Sequence, residues 1–146
     1  MGKYVKRRDN LIKRKELVTL LNATNCLTPL FQAVAIKHVT SQVGFDFVDV
    51  KSAVLKLEEE MNELKEAIEN EDKENIFEEA GDVLFVLANV ANKAGFNIEQ
   101  ALEASNKKFI RRFKYVVEKM KKENIPMTKE NVGNVYEFWE VAKNEA

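Results

Sequence analysis

Residues 78–91 read EEAGDVLFVLANVA and are the most constraining part of the chain. The stretch is typical of the first turns of a helix, and after Asp82 its side chains are almost wholly apolar, which leaves little room for a solvent face. Glu79 and Asp82 nevertheless stand one helical turn apart near its beginning. Because a carboxylate that enters a protein interior is costly unless it is paired, these two acids require a partner.

Capping residues and breaks define the helices on both sides of this stretch. Thr28-Pro29 is a good helix start, Asp46 or Asp49 suits the beginning of the next helix, and Gly95 suits a helix end. No strand-like alternation stands out, so the sequence predicts an all-α antiparallel helical bundle with short connections. The expected helices cover residues 28–43, 49–70, 73–94, 97–123 and the segment from 128 onward.

Apolar residues at spacings of three and four predict which face of each helix is buried. The expected inner faces are Val54, Leu57, Met61, Leu64 and Ile68 in the helix 49–70, Ile76, Ala80, Leu84, Leu87 and Ala91 in the helix 73–94, Leu102, Phe109, Phe113, Val116 and Met120 in the helix 97–123, and Val135, Phe138 and Trp139 in the last helix.

The composition excludes several classes of protein. Hydrophobic residues make up 45% and charged residues 32% of 146 residues, which fits one globular domain. The net charge of −1 argues against nucleic-acid binding by the whole chain. No apolar run approaches the roughly 20 residues that span a bilayer, and the single Cys26 suits a reducing compartment. We therefore expect a cytoplasmic protein that does not associate with membranes.

Residues 1–27 form a basic lead-in that we separate from a helical domain of residues 28–146. Two interpretations of the lead-in stand side by side: a solvated arm or linker end, and an arm that binds a partner or clasps a dimer. Its basic residues also keep nucleic-acid contact open for residues 3–15.

Two acidic pairs are placed at matching positions on neighbouring helices. Glu60 and Glu63 lie on one side of the apolar stripe of their helix, at roughly 80° and 140° from its centre, and Glu79 and Asp82 lie at about the same angles on theirs. Helices joined by a short turn pack antiparallel, so the two pairs converge at one edge of the contact. Gly81 removes a side chain between the members of the second pair.

Four converging carboxylates repel one another, and a hard divalent cation such as Mg²⁺ or Mn²⁺ resolves the repulsion. A solvated face is the ordinary alternative for Glu60 and Glu63, and the helix dipole also favours acids in a first turn. His38 is the only histidine, so neither a Glu-x-x-His di-iron bundle nor a His/Cys zinc site is available.

The segment SNKKFIRRFKYV at 105–116 supplies a basic counterpart. Lys108 and Arg112, four residues apart, share one shoulder of the helix, and Asn106 adds a neutral donor and acceptor. Cations beside a metal-loaded acidic site suit polyphosphate, whereas a solvated basic face over a Phe core is the alternative. Trp139 either stacks on a nucleobase or fills the core.

These segments, in order, resemble the MazG-type nucleoside triphosphate pyrophosphohydrolases. Glu59-Glu60-x-x-Glu63 followed by Glu78-Glu79-x-x-Asp82 is similar to the paired acidic motif of that family. The segments 27–47, 105–113 and 127–143 are similar to its lead-in helix with a Gly-Phe-Asp turn, its Asn-x-Lys-Phe-x-x-Arg-Phe segment and its closing helix with a Trp. The resemblance covers residues 27–145 and is to the C-terminal copy in members with two domains.

The resemblance implies Mg²⁺-dependent hydrolysis of a nucleoside triphosphate to the monophosphate and pyrophosphate by an intertwined homodimer. It implies the following roles: Glu60, Glu63, Glu79 and Asp82 as metal ligands, Glu59 as an outer ligand, Glu59 or Glu63 as the group that orients water, Lys108, Arg112 and Asn106 at the phosphates, and Trp139, from the same or the partner subunit, against the base.

The sequence departs from the family pattern in three places: Asn75 stands where a basic residue is usual, Lys37-His38-Val39 where Gln is followed by two basic residues, and Phe47 where Trp is usual. Two other functions remain open. One is a narrower pyrophosphatase that acts on dUTP, dCTP or phosphoribosyl-ATP, and the other is a non-catalytic helical dimer that binds a nucleotide or a protein.

Overall fold

The computed structural model describes residues 14–145, which contain six α-helices and two short 3₁₀ helices and, within that range, no strand. The helices are α1 Arg14–Ala23, α2 Pro29–Ser41, α3 Val50–Glu69, α4 Lys73–Ala94, α5 Ile98–Lys122 and α6 Val132–Glu145, with 3₁₀ helices at Thr24–Cys26 and Lys129–Asn131. The all-α prediction is confirmed. Two compact units divide after Ile98, and residues 1–13 of the predicted lead-in lie outside the described residues.

Local capping explains why the predicted helix boundaries agree with the structure to within a few residues. The Asp49 side chain accepts a hydrogen bond from the Ser52 amide at 2.8 Å, and the Ser52 hydroxyl accepts one from the Asp49 amide at 3.2 Å, which closes a capping box on α3. Asp72 caps α4 through the Asn75 amide. Gly95 ends α4 with φ +80°, a left-handed conformation that costs glycine little.

In the first unit, α3 presents three residues at seven-residue spacing as its buried face: Ala53, Glu60 and Ala67. The predicted stripe is therefore wrong in part, because Met61 and Ile68 are 55% and 54% exposed. Small alanine side chains let two helix backbones approach closely. The spacing of apolar residues defines a stripe along the helix, but it does not say which edge of that stripe a neighbouring helix covers. Glu60 thus lies in the buried face of α3, whereas the sequence predicts it to one side of that face.

The α4 helix is buried along one face only in the described chain. Ala88 and Ala91 are fully buried and form a cluster with Ala33 of α2 and Ile98. Leu84 is 57% exposed, and Phe77, Phe85 and Leu87 are exposed as well. The expectation that α4 has little solvent face is therefore wrong within the described residues.

Charged and aromatic side chains hold the turn between α2 and α3 in place. Lys37 is buried, and its ammonium lies 4.7 Å from the ring centre of Phe47 and 5.1 Å from that of Phe45. The same ammonium donates a hydrogen bond to the Phe45 carbonyl at 3.3 Å. Asp46 forms an ion pair with Lys93 of α4 at 2.8 Å and lies 3.8 Å from Lys37. The Asp46–Lys93 ion pair thus joins the turn before α3 to the end of α4.

In the second unit, the C-terminal half of α5 packs on α6. Val116 and Met120 are fully buried against Phe138 and Ala142, as predicted for three of these four residues. Leu102, Phe109 and Phe113, which the periodicity also placed on the inner face, are exposed.

None of the described helices is both long and apolar enough to cross a membrane. The cytoplasmic location stays a prediction.

Candidate metal centre

The carboxylates of Glu60, Glu79 and Asp82 converge between α3 and α4. One oxygen from each of the three residues lies within 4.8 Å of the other two. Glu60 is buried with 6% exposure, Glu79 is half-buried and Asp82 is exposed, so the group opens from the helix contact toward solvent. The convergence follows from the short Asn70–Asp72 connection, because an antiparallel hairpin brings the middle of α3 level with the second turn of α4.

Glu63, the fourth predicted ligand, lies beside this group but not among its three converging oxygens. The pKa of its carboxyl is raised, first because neighbouring protein atoms exclude water and then because the charges of Glu60 and Glu79 are close. Hydrogen bonding to the Glu60 carboxylate, which favours the protonated form of Glu63, raises this pKa as well. Its carboxyl therefore lies in the negative potential of Glu60 and Glu79.

Lys56 binds two of the acids from the preceding turn of α3, which the sequence analysis missed. Its ammonium lies 2.7 Å from Glu60 Oε1 and 2.8 Å from Glu59 Oε1. The hydrogen bonds to Glu59 and then to Glu60 raise the pKa of the lysine. The available signal was spacing, because a lysine three and four residues before two glutamates shares their helix face.

The acidic group fits a hard divalent cation. Among the described residues, Glu79 Oε2 is a buried oxygen without a hydrogen-bond partner, and such an oxygen is costly unless a cation or donor reaches it. All the converging donors are carboxylate oxygens, the type that Mg²⁺ and Mn²⁺ prefer. An ion bound here would satisfy the orphaned oxygen and offset the mutual repulsion of the acids.

The predicted phosphate- and base-binding residues belong to the second unit. Asn106 and Lys108 lie exposed on α5. Arg112 is half-buried and donates one long hydrogen bond of 3.5 Å to the Lys143 carbonyl, and its Nε is buried without a partner in the described chain. Trp139 packs on the α5–α6 core, with its ring 5.0 Å from that of Phe109. These contacts agree with the core-filling alternative for Trp139, and its role toward a base stays a prediction.

Comparison with known proteins gives these residues a family context. A family model for the MazG nucleotide pyrophosphohydrolase domain matches residues 49–117, a range that contains both acidic pairs. The chain is 36% identical over 132 residues to a protein of Thermotoga maritima named nucleoside triphosphate pyrophosphohydrolase/pyrophosphatase MazG, covering 90% of this chain and 51% of that protein.

A second relative is the nucleoside triphosphate pyrophosphohydrolase of Escherichia coli K12, which is 32% identical over 123 residues, covering 82% of this chain and 46% of that protein. The uncharacterized protein YabN of Bacillus subtilis is 38% identical over 69 residues, covering 47% of this chain and 14% of that protein. The chain spans about half the length of the first two relatives. Residues 49–117 of this chain, which contain both acidic pairs, therefore match the MazG nucleotide pyrophosphohydrolase domain.

Proposed function

We propose that this protein hydrolyses nucleoside triphosphates, ribose or deoxyribose, to the monophosphate and pyrophosphate with the help of Mg²⁺, for which Mn²⁺ is an alternative. The convergence of Glu60, Glu79 and Asp82 within 4.8 Å carries the proposal, because it lies inside the MazG match. We propose Glu63 as the fourth ligand, since its carboxyl lies in the potential of Glu60 and Glu79. The names of the relatives support the choice of substrate.

A divalent ion held by Glu60, Glu79 and Asp82 would supply positive charge that polarises a phosphate and makes a nearby water more acidic. In our proposal, Glu59 or Glu63 orients the water that attacks the α-phosphorus and accepts its proton, and pyrophosphate leaves as the bond to the bridging oxygen breaks. Lys108 and Arg112 offset the charge of the departing pyrophosphate. Asn106 hydrogen-bonds the phosphates, and Trp139 lies against the base.

We also propose a homodimer. Large apolar side chains stay exposed on both helices that carry the acids, among them Met61 and Ile68 on α3 and Phe77 and Leu84 on α4. A second copy of the chain would cover these side chains, as expected for large exposed apolar groups at an interaction site. Light scattering coupled to gel filtration should give twice the chain mass of 16.8 kDa, and a monomer would contradict the dimer.

The test of the activity is pyrophosphate release from canonical and modified nucleoside triphosphates with Mg²⁺. The unmodified protein and Glu78→Gln should release pyrophosphate, and Glu79→Gln should not. Glu78 is the matched control because it precedes Glu79 on α4, is exposed and lies outside the converging group. A fully active Glu79→Gln protein would overturn the proposed metal site.

The same panel separates the other candidate functions. Turnover confined to dUTP, dCTP or phosphoribosyl-ATP would identify one of the narrower pyrophosphatases. Mg²⁺-dependent nucleotide binding without any pyrophosphate release would identify the non-catalytic dimer.

A further inference from the structure

Lys56 connects the buried acid of the metal centre to an exposed one. The Glu60 side chain is 8% exposed and that of Glu59 is 56% exposed, and both lie within 2.8 Å of the Lys56 ammonium. These are the distances of strong charge-assisted hydrogen bonds. Because the Glu60 side chain is largely withdrawn from solvent, a nearby cation stabilises its charge.

We propose that Lys56 is the resident counter-cation of the metal-free acidic group, and that a divalent ion must displace its ammonium from Glu60 to bind. The inference rests on the proposed metal site. The Lys56 ammonium and the metal ion compete for the Glu60 carboxylate, and the ammonium must move into solvent when the metal binds. Lys56 is suited to leave, because its side chain is already 38% exposed and Glu59 offers it an exposed acceptor.

The competition lowers the affinity of the acidic group for the metal ion. Displacement of the ammonium costs its attraction to Glu60 at 2.7 Å, which in water-like dielectric corresponds to about tenfold in affinity for the metal. Lys56 therefore stabilises the protein when the metal is absent and lowers its affinity for the metal. It is a positioning residue, since it acts through Glu60.

The test is the binding of Mn²⁺ alone and Mg²⁺ alone to the full chain without nucleotide, measured by isothermal titration calorimetry. We expect Lys56→Met to lower the dissociation constant about tenfold and to lower the melting temperature in EDTA. Lys56→Arg keeps the charge and should keep the affinity of the parent. Lys65→Met is the matched control, because Lys65 forms the same kind of i,i+4 pair with Glu69 on α3, at 3.9 Å.

A second measurement needs no variant at this position and decides the matter if Lys56→Met does not fold. The rate of acetylation of Lys56 in the unmodified protein, followed by mass spectrometry, should rise when Mg²⁺ is added, while that of Lys65 should not. A rate at Lys56 that does not respond to Mg²⁺ would overturn the inference.

Failure of this inference differs from failure of the metal site. If the unmodified protein binds Mn²⁺ and Glu79→Gln does not, the metal site stands. An equal or weaker affinity in Lys56→Met would then refute the role of Lys56 alone. If the unmodified protein binds neither ion, both the metal site and the role of Lys56 are refuted.

Discussion

Glu79→Gln should stabilise the metal-free protein while it removes the response to metal. The substitution keeps the shape of the side chain and deletes one charge that lies within 4.8 Å of two other carboxylate oxygens. Two unit charges about 4.8 Å apart repel by about 0.9 kcal/mol in water and by several times more at a protein surface. Because Asp82 is exposed and the Lys56 ammonium offsets part of the charge of Glu60, we take the lower limit for both pairs and expect a gain of about 2 kcal/mol.

For a chain of this size, the gain corresponds to a melting temperature about 5 °C higher in EDTA. Addition of Mg²⁺ should raise the melting temperature of the parent and of Glu78→Gln but not that of Glu79→Gln, since only a ligand that binds the folded state stabilises it. Differential scanning fluorimetry with and without Mg²⁺ measures both effects. A Glu79→Gln protein that melts below the parent in EDTA would show that this carboxylate supports the fold, and the electrostatic reasoning would be wrong.

Three further predictions concern other parts of the chain. The ion pair with Lys93 holds the pKa of Asp46 below its usual value of 3.8. The stabilisation of the fold by Asp46 is therefore complete above pH 3.8 and is lost as the pH falls below the lowered pKa. In urea titrations, Asp46→Asn should lower the free energy of unfolding by about 1–2 kcal/mol at pH 7, and that free energy should depend less on acid pH than in the parent. Met120→Ala empties a fully buried position beside Phe138 and should cost about 2–5 kcal/mol in the same assay; a cost below about 1 kcal/mol would contradict the packing. Arg112→Gln should lower kcat/KM for the triphosphate about tenfold or more, with little change in melting temperature, because its one hydrogen bond is long; unchanged kinetics would remove Arg112 from the phosphate site.

The helices themselves were predictable because their boundaries depend on local chemistry. Asp49, Gly95 and the Thr28-Pro29 pair act on the few residues beside them, and each marks a boundary in the structure. The convergence of the acidic pairs was also within reach of the sequence, since a short connection makes antiparallel helices and the acids have matching positions.

Burial was less predictable, because it depends on which neighbour covers a helix. Periodicity assigned Met61, Ile68 and Phe109 to inner faces, and all three are exposed in the described chain. The buried face of α3 instead consists of the small residues Ala53 and Ala67 with Glu60 between them, and hydrophobicity alone does not predict this choice.

The sequence by itself therefore determined the all-α class, the helix boundaries and the two acidic pairs, because each is encoded within a few turns of chain. Only the tertiary structure decided that Glu60 is the buried member of the acidic group, so that the helical spacing of Lys56 places its ammonium on a buried carboxylate. The same holds for Lys37, which lies between two rings of a turn. The environment of a charged side chain depends on what packs around it, and that is a property of the folded chain rather than of sequence spacing.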